Sequence, residues 1–200
     1  MSYFYKSKTD TELEQIAEVI RKHFPKRRLG LAIDIEGIIE DFGIDLIPRR
    51  GFRRYAEGYL ARDPRIIVVD ESIFTYMPRA RFTLAEEICH LILEYRLWSG
   101  GKLPVGADGH ELSDMQHILV EKDASSMAST LLLPAHEFTA AFNAKLRELE
   151  ATNAAELDVL RETIRHVAKV FEVSPSAAGW RSRKLRLISM AALKQLLPQK

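Results

Sequence analysis

Cysteine is almost missing from this chain. Its 200 residues include one, Cys89, which cannot close an internal disulfide, so the expected setting is a reducing cytoplasm. Long apolar runs are missing too. Nothing approaches the roughly 20 apolar residues of a membrane span, and the opening MSYFYKSKTD has no stretch of signal-peptide length, so no targeting signal is expected. There is little excess charge of either sign. Lys and Arg number 29 against 28 Asp and Glu, a net +1, and this gives no global electrostatic pull towards nucleic acid or membrane. The chain contains no Gly-rich phosphate loop, no G-x-S-x-G turn and no Cys/His pair of nucleophile spacing. It has no internal repeat and no low-complexity tract.

What is present is an ordinary globular composition, 46% hydrophobic and 28% charged, and a patterned one. Leu13, Ile16, Ala17, Ile20 and Phe24 keep i, i+3, i+4 spacing and predict a helix over 11–24, with Thr11 and Glu14 as capping box and Pro25 as stop. A short helix over 34–42 follows, with Asp34 as N-cap and Gly43 past its end. The period then changes: 44–48, 55–61 and 65–70 read as strands, and three short strands imply a small antiparallel sheet set against helices. From Pro78 the pattern is helical, over 78–95, 112–133, 135–150 and 154–171, with the loop SGGKLPVGADG after the first of these. Ser174-Pro175 opens a final helix as N-cap and N1. The fold class is α+β, mostly helical.

Residues 81–95, RFTLAEEICHLILEY, carry the chemistry. Glu86 and His90 are i and i+4, so on a helix they stand one above the other and both can reach one metal ion. Glu87 is rotated about 100° from Glu86. A bare E-E-x-x-H says little by itself, because Glu pairs are common on solvated helix faces. A second segment, EKDASSMASTLLLP at 121–134, adds to it. Together they resemble the ImmA/IrrE family of metallopeptidases, which carry R-F-T-x-A-H-E-x-G-H-x-x-L and then E-x-E-A-N-x-F-A-x-x-L-L-M-P. Arg81, Phe82, Thr83, Ala85, Glu87, His90 and Leu93 match the first motif, and Glu121, Ala124, Ala128, Leu131, Leu132 and Pro134 the second. The likeness runs from about residue 30 to 188, since VAKVFEVSPSAAGWRSRKLRLI is similar to the family's closing helices.

The resemblance implies a zincin-like domain in which His90 is a metal ligand, Glu87 the general base and a carboxylate near 121 a further ligand. Helical rotation favours Glu121, which shares its face with Ala124, Ser125 and Ala128, over Asp123, which points about 200° away. His117, one turn before Glu121, is either an extra ligand, a supporting partner or a surface His. The second motif departs conservatively at Asp123, Ser125, Met127 and Leu133, and the first departs at two positions. Cys89 replaces Gly and reads as tolerated core, its thiol lying off the 86/90 face. Glu86 replaces the first His of H-E-x-x-H. The ligand set Glu86, His90 and Glu121 would bring a Zn²⁺ site to zero charge, so that it polarises water less, and would shift preference towards Mn²⁺.

The arginines at 49, 50, 53 and 54 read as a solvated hairpin tip or a docking site for an acidic partner. Residues 164–187 have helix-turn-helix character, yet Arg181, Arg183, Lys184 and Arg186 fall around the helix, so residues 174–188 are expected to pack inward, with Trp180 buried. The expected organisation is a zincin-like domain over 1–150 and a helical extension over 151–200 packed on the same body. The expected function is a metal-dependent peptidase, with Zn or Mn, that cleaves a helix-turn-helix transcriptional repressor. The alternative is a non-catalytic relative that binds a repressor or DNA. DNA binding and membrane association are not expected.

Overall fold

A computed structural model describes residues 6–51, 57–61, 65–95, 114–152 and 154–197. The predicted loop at 99–109, the first residues of the predicted strand at 55–61, and Arg53 and Arg54 lie outside these. Among the described residues the chain runs α1 (Asp10–His23), β1 (Arg28–Leu29), β2 (Ala32–Ile33), α2 (Ile35–Asp41), β3 (Asp45–Arg49), β4 (Gly58–Leu60) and β5 (Ile66–Asp70). A 3-10 turn at Glu71–Thr75 leads into α3 (Met77–Tyr95), α4 (Asp114–Leu132), α5 (Ala135–Glu150), α6 (Glu156–Val170), α7 (Pro175–Lys184) and α8 (Met190–Leu196). The α+β class, with helix in the majority, is as expected.

The chain forms two compact units, Met1–Arg28 with Asp34–Leu131, and Leu29–Ile33 with Leu132–Lys200. Packing thus divides the chain near 131, where the sequence reading placed a boundary near 150. The reason is α5, whose buried Phe138 and Phe142 stack on each other at 6.4 Å, with Phe171 5.6 Å from Phe138.

In the first unit, α1 buries Leu13, Ala17 and Ile20. Its cap is Thr9, two residues before the expected one. Thr9 Oγ1 accepts from Glu12 N at 3.2 Å and Thr9 N donates to Glu12 Oε2 at 2.7 Å. Two T-x-x-E boxes overlap here, and the earlier one brings Asp10 and Glu12 into the first turn, where the helix dipole favours acid. Asp34 caps α2 as expected, accepting from Gly37 N at 3.0 Å.

The three-stranded sheet is mixed, which corrects the antiparallel expectation. Its order is β3-β5-β4, with β3 parallel to β5 (Asp45 beside Ile66) and β4 antiparallel to it (Gly58 beside Val69). β5, sequence IIVVD, is the most buried strand and takes the centre. That leaves the short β4 at an edge, and puts two strands of like direction side by side. A further two-stranded sheet, β1-β2, turns at Gly30, φ +67°, and was not anticipated.

In the second unit, Ser174 caps α7 and accepts from Ala177 N at 3.1 Å. The final helix is two helices rather than one. α7 stops at Lys184, Arg186 turns left-handed at φ 61°, and Ser189 caps α8. The expectation for Trp180 is overturned: it is 54% exposed, while its neighbour Arg181 is 1% exposed. Small residues Ala178, Gly179 and Ser182 are buried on α7, and among them the Arg181 stem threads inward until Nε donates to Leu133 O at 2.9 Å. A long stem with a buried carbonyl partner can go where a rigid indole cannot.

Candidate metal centre

Helix α3 is apolar on nearly every side. Leu84, Ala85, Ile88, Cys89, Leu91, Ile92 and Leu93 are all buried, as suits a helix inside a core. Against that background Glu86, Glu87 and His90 form a polar island within little more than one turn. Ionisable groups on a buried helix need partners, and these three find them at a cavity of about 600 Å³. The opposite wall is α4, which contributes His117 and Glu121. His90 Nε2 lies 3.5 Å from Glu121 Oε2, with side chains 13% and 70% exposed. That contact makes Glu121 more acidic: the hydrogen bond with His90 holds its carboxyl below the ordinary range, with a smaller contribution from His117. Glu86 goes the other way. Burial raises it, a hydrogen bond from Ser125 and the charge of His90 work against the rise, and Glu121 adds to it.

The third wall is the edge strand β4. Gly58, Tyr59 and Leu60 line the cavity with Glu57. Gly58 lies over Glu87, whose side chain is buried: a Cβ there would sit 3.0 Å from Glu87 Oε1 and 3.1 Å from Thr83 Cγ2. Glu57 is engaged by Arg79, whose Nε donates to Oε2 at 2.7 Å, and by Thr83 Oγ1 at 3.3 Å. Motif reading alone did not find Glu57, Gly58 or Tyr59. The available signal was a glycine inside a short strand, which marks close approach of backbone to another group.

The candidate residues therefore separate. Glu86, Glu87, His90, Glu121 and His117 line one cavity. Asp123 is 1% exposed and turned elsewhere, accepting from Ser7 Oγ at 2.9 Å and Lys8 N at 2.6 Å. Cys89 is buried, and burial raises its thiol, with Glu86 and Glu87 adding to the effect; this is packing rather than thiolate chemistry.

The donor set suits a divalent cation by type and charge. Carboxylate and imidazole line the cavity, while no Lys or Arg is among its lining residues. Among the described residues no three His, Cys, Asp or Glu side chains are drawn together to ligand geometry. His90 and Glu121 are paired, while Glu86 is hydrogen-bonded to Ser125.

The family model of the IrrE N-terminal-like domain, a peptidase family, matches residues 33–183, more than half of the chain. The chain belongs to that family. The match spans both compact units and both motif helices, and an IrrE N-terminal-like domain is of a metal-dependent peptidase class. The solved structure of a Mycobacterium tuberculosis transcriptional regulator is similar in fold, with a TM-score of 0.57 at 21% identity, over 86% of this chain and 46% of that one. This IrrE N-terminal-like chain thus spans about half the length of that structure. No curated protein matches it. No helix among the described residues is long and apolar enough to cross a membrane.

Proposed function

We propose that this chain is a metal-dependent peptidase whose substrate is a helix-turn-helix transcriptional repressor. One observation carries the reading. Glu87, buried on α3, stands beside His90 and Glu121 and beneath Gly58 of an edge strand, in one cavity. Such an arrangement supports a proton carrier, cation donors and a substrate-binding edge within reach of one scissile bond.

Glu86, His90 and Glu121 would hold the ion, Zn²⁺ or Mn²⁺. A divalent cation bound there would supply Lewis-acid chemistry for hydrolysis. Glu87 would take the proton of the attacking water and pass it to the leaving amine. Its buried position shields that transfer from bulk solvent, with Gly58 of β4 close against its carboxylate. β4 binds substrate in extended form by strand addition, main chain to main chain, with Tyr59 and Leu60 flanking the bond to be cut.

A second reading has an observation of its own. Glu86 is engaged with Ser125, and no three donors converge among the described residues, which suits a relative that binds a repressor without cutting it. Metal analysis combined with a cleavage assay on a helix-turn-helix repressor separates the two. Peptidase function requires bound metal and a cut repressor. Repressor bound intact by metal-loaded protein would establish the binding module instead.

A further inference from the structure

The two motif helices present the same pair of donors. On α3, Glu86 and His90 are four residues apart; on α4, His117 and Glu121 are four apart. Each pair lies along one helix face, rotated by only about 40° from residue to residue. Each therefore offers one carboxylate and one imidazole to the same side. The two pairs meet across the cavity at His90 and Glu121, 3.5 Å apart, and all four residues line it.

We propose that His117 is a ligand of the metal centre, supplying from α4 the imidazole that position 86 lacks on α3. The inference rests on the peptidase reading above and deepens it. Glu86 is an oxygen donor where a zincin helix would place a nitrogen. With only Glu86, His90 and Glu121, the set has one imidazole and favours harder ions. His117 restores two nitrogens without adding charge, which turns preference back towards Zn²⁺. The side chain is exposed on the first turn of α4 and lines the cavity, so its role is not to fill a core.

The alternatives for His117 make different statements about metal. A surface His contributes nothing to affinity. A supporting partner would hold Glu121 in place but leave the ion's coordination spectrum unchanged. A ligand changes both.

The test is competitive titration of Zn²⁺ and Mn²⁺ into wild type, His117→Ala, His117→Gln and Glu86→Gln, with visible spectra of the Co²⁺ forms and circular dichroism of the metal-free proteins. Both His117 variants should keep the wild-type fold and lose at least tenfold in Zn²⁺ affinity. Their Mn²⁺ affinity should fall by less, and their Co²⁺ bands should shift. Wild-type Zn²⁺ affinity, or an unshifted Co²⁺ spectrum, in folded His117→Ala and His117→Gln would overturn the proposal while leaving the peptidase reading intact. A folded wild type that binds neither Zn²⁺ nor Mn²⁺ overturns both. Loss of metal in Glu86→Gln alone, with both His117 variants at wild-type affinity, assigns the third donor to Glu86 and rejects His117.

Discussion

In the proposed reaction Glu87 is the proton carrier, and its chemistry separates from its neighbours'. An amide of the same size cannot take a proton, so Glu87→Gln should lower repressor cleavage by about 100- to 10,000-fold while metal content stays at the wild-type level. Glu86→His tests the other departure: it raises the site's charge by one, makes water at the site more acidic, and should increase cleavage about tenfold for each pKa unit gained. Both are read in one assay at matched metal occupancy. Retained cleavage in Glu87→Gln removes the general-base role. Gly58 is a residue of a different kind, needed for what it lacks. A methyl there would press on Glu87 Oε1 at 3.0 Å, and the buried carboxylate has little room to give. Gly58→Ala should therefore cut cleavage by tenfold or more with metal affinity kept; unchanged turnover would show that Glu87 relocates freely. At this scale the sequence was informative where geometry is local. Helical spacing put 86 and 90 together and chose Glu121 over Asp123, and the structure places Asp123 against Ser7 and Lys8. Spacing could not reveal that Ser125 engages Glu86 or that Gly58 covers Glu87, because both contacts join segments remote in sequence.

Helix ends follow the same logic one scale up. Among the described residues, three helices finish with the same motif, in which one residue turns left-handed and two amides return to the last turn. After α2, Gly43 (φ +66°) donates to Glu40 O at 2.9 Å and Ile44 N to Ile39 O at 3.1 Å. After α6, Glu172 (φ 54°) donates to Lys169 O and Val173 N to Ala168 O. After α7, Arg186 (φ 61°) donates to Arg183 O and Leu187 N to Ser182 O. Only the first was legible, since only it carries the glycine that announces a left-handed turn. The break between α7 and α8 was missed for that reason. The other two positions carry a side chain where its Cβ crowds the following carbonyl, at a cost of roughly 1–2 kcal/mol each. Glu172→Gly and Arg186→Gly should each stabilise the protein by about 1 kcal/mol after the added flexibility of the unfolded chain is counted. Denaturant unfolding measures this, and a loss of stability in either variant would mean that its side chain matters more than its backbone. Strand order was illegible for a related reason. β5 pairs on both sides because it is the most apolar strand, but which neighbour takes which side is a non-local choice that no period-two pattern encodes.

Across the whole molecule, charge balance conceals local imbalance. A net charge of +1 suggests no cation site, yet one cavity gathers the four carboxylates of Glu57, Glu86, Glu87 and Glu121, with the guanidinium of Arg79 against Glu57. Without an ion, the first unit carries that cost in its fold, visible in Glu86, which burial and Glu121 raise above the ordinary carboxylate range. The sign follows directly. A carboxyl whose folded pKa is raised binds more protons folded than unfolded between the two values, so metal-free stability falls as pH rises through that interval. A cation needs the same oxygen deprotonated, so its binding strengthens over the same rise. The metal-induced gain should therefore be small in acid and grow towards neutral pH, reaching about 2.7 kcal/mol when the free ion is at 100 times its dissociation constant. Hydrogen exchange locates the gain. Protection should rise in α3 and α4, which carry every proposed ligand, with α6 and α7 followed in the same experiment as the comparison. A gain of equal size at all pH values, or one confined to α6 and α7, would place the ion away from Glu86, His90 and Glu121.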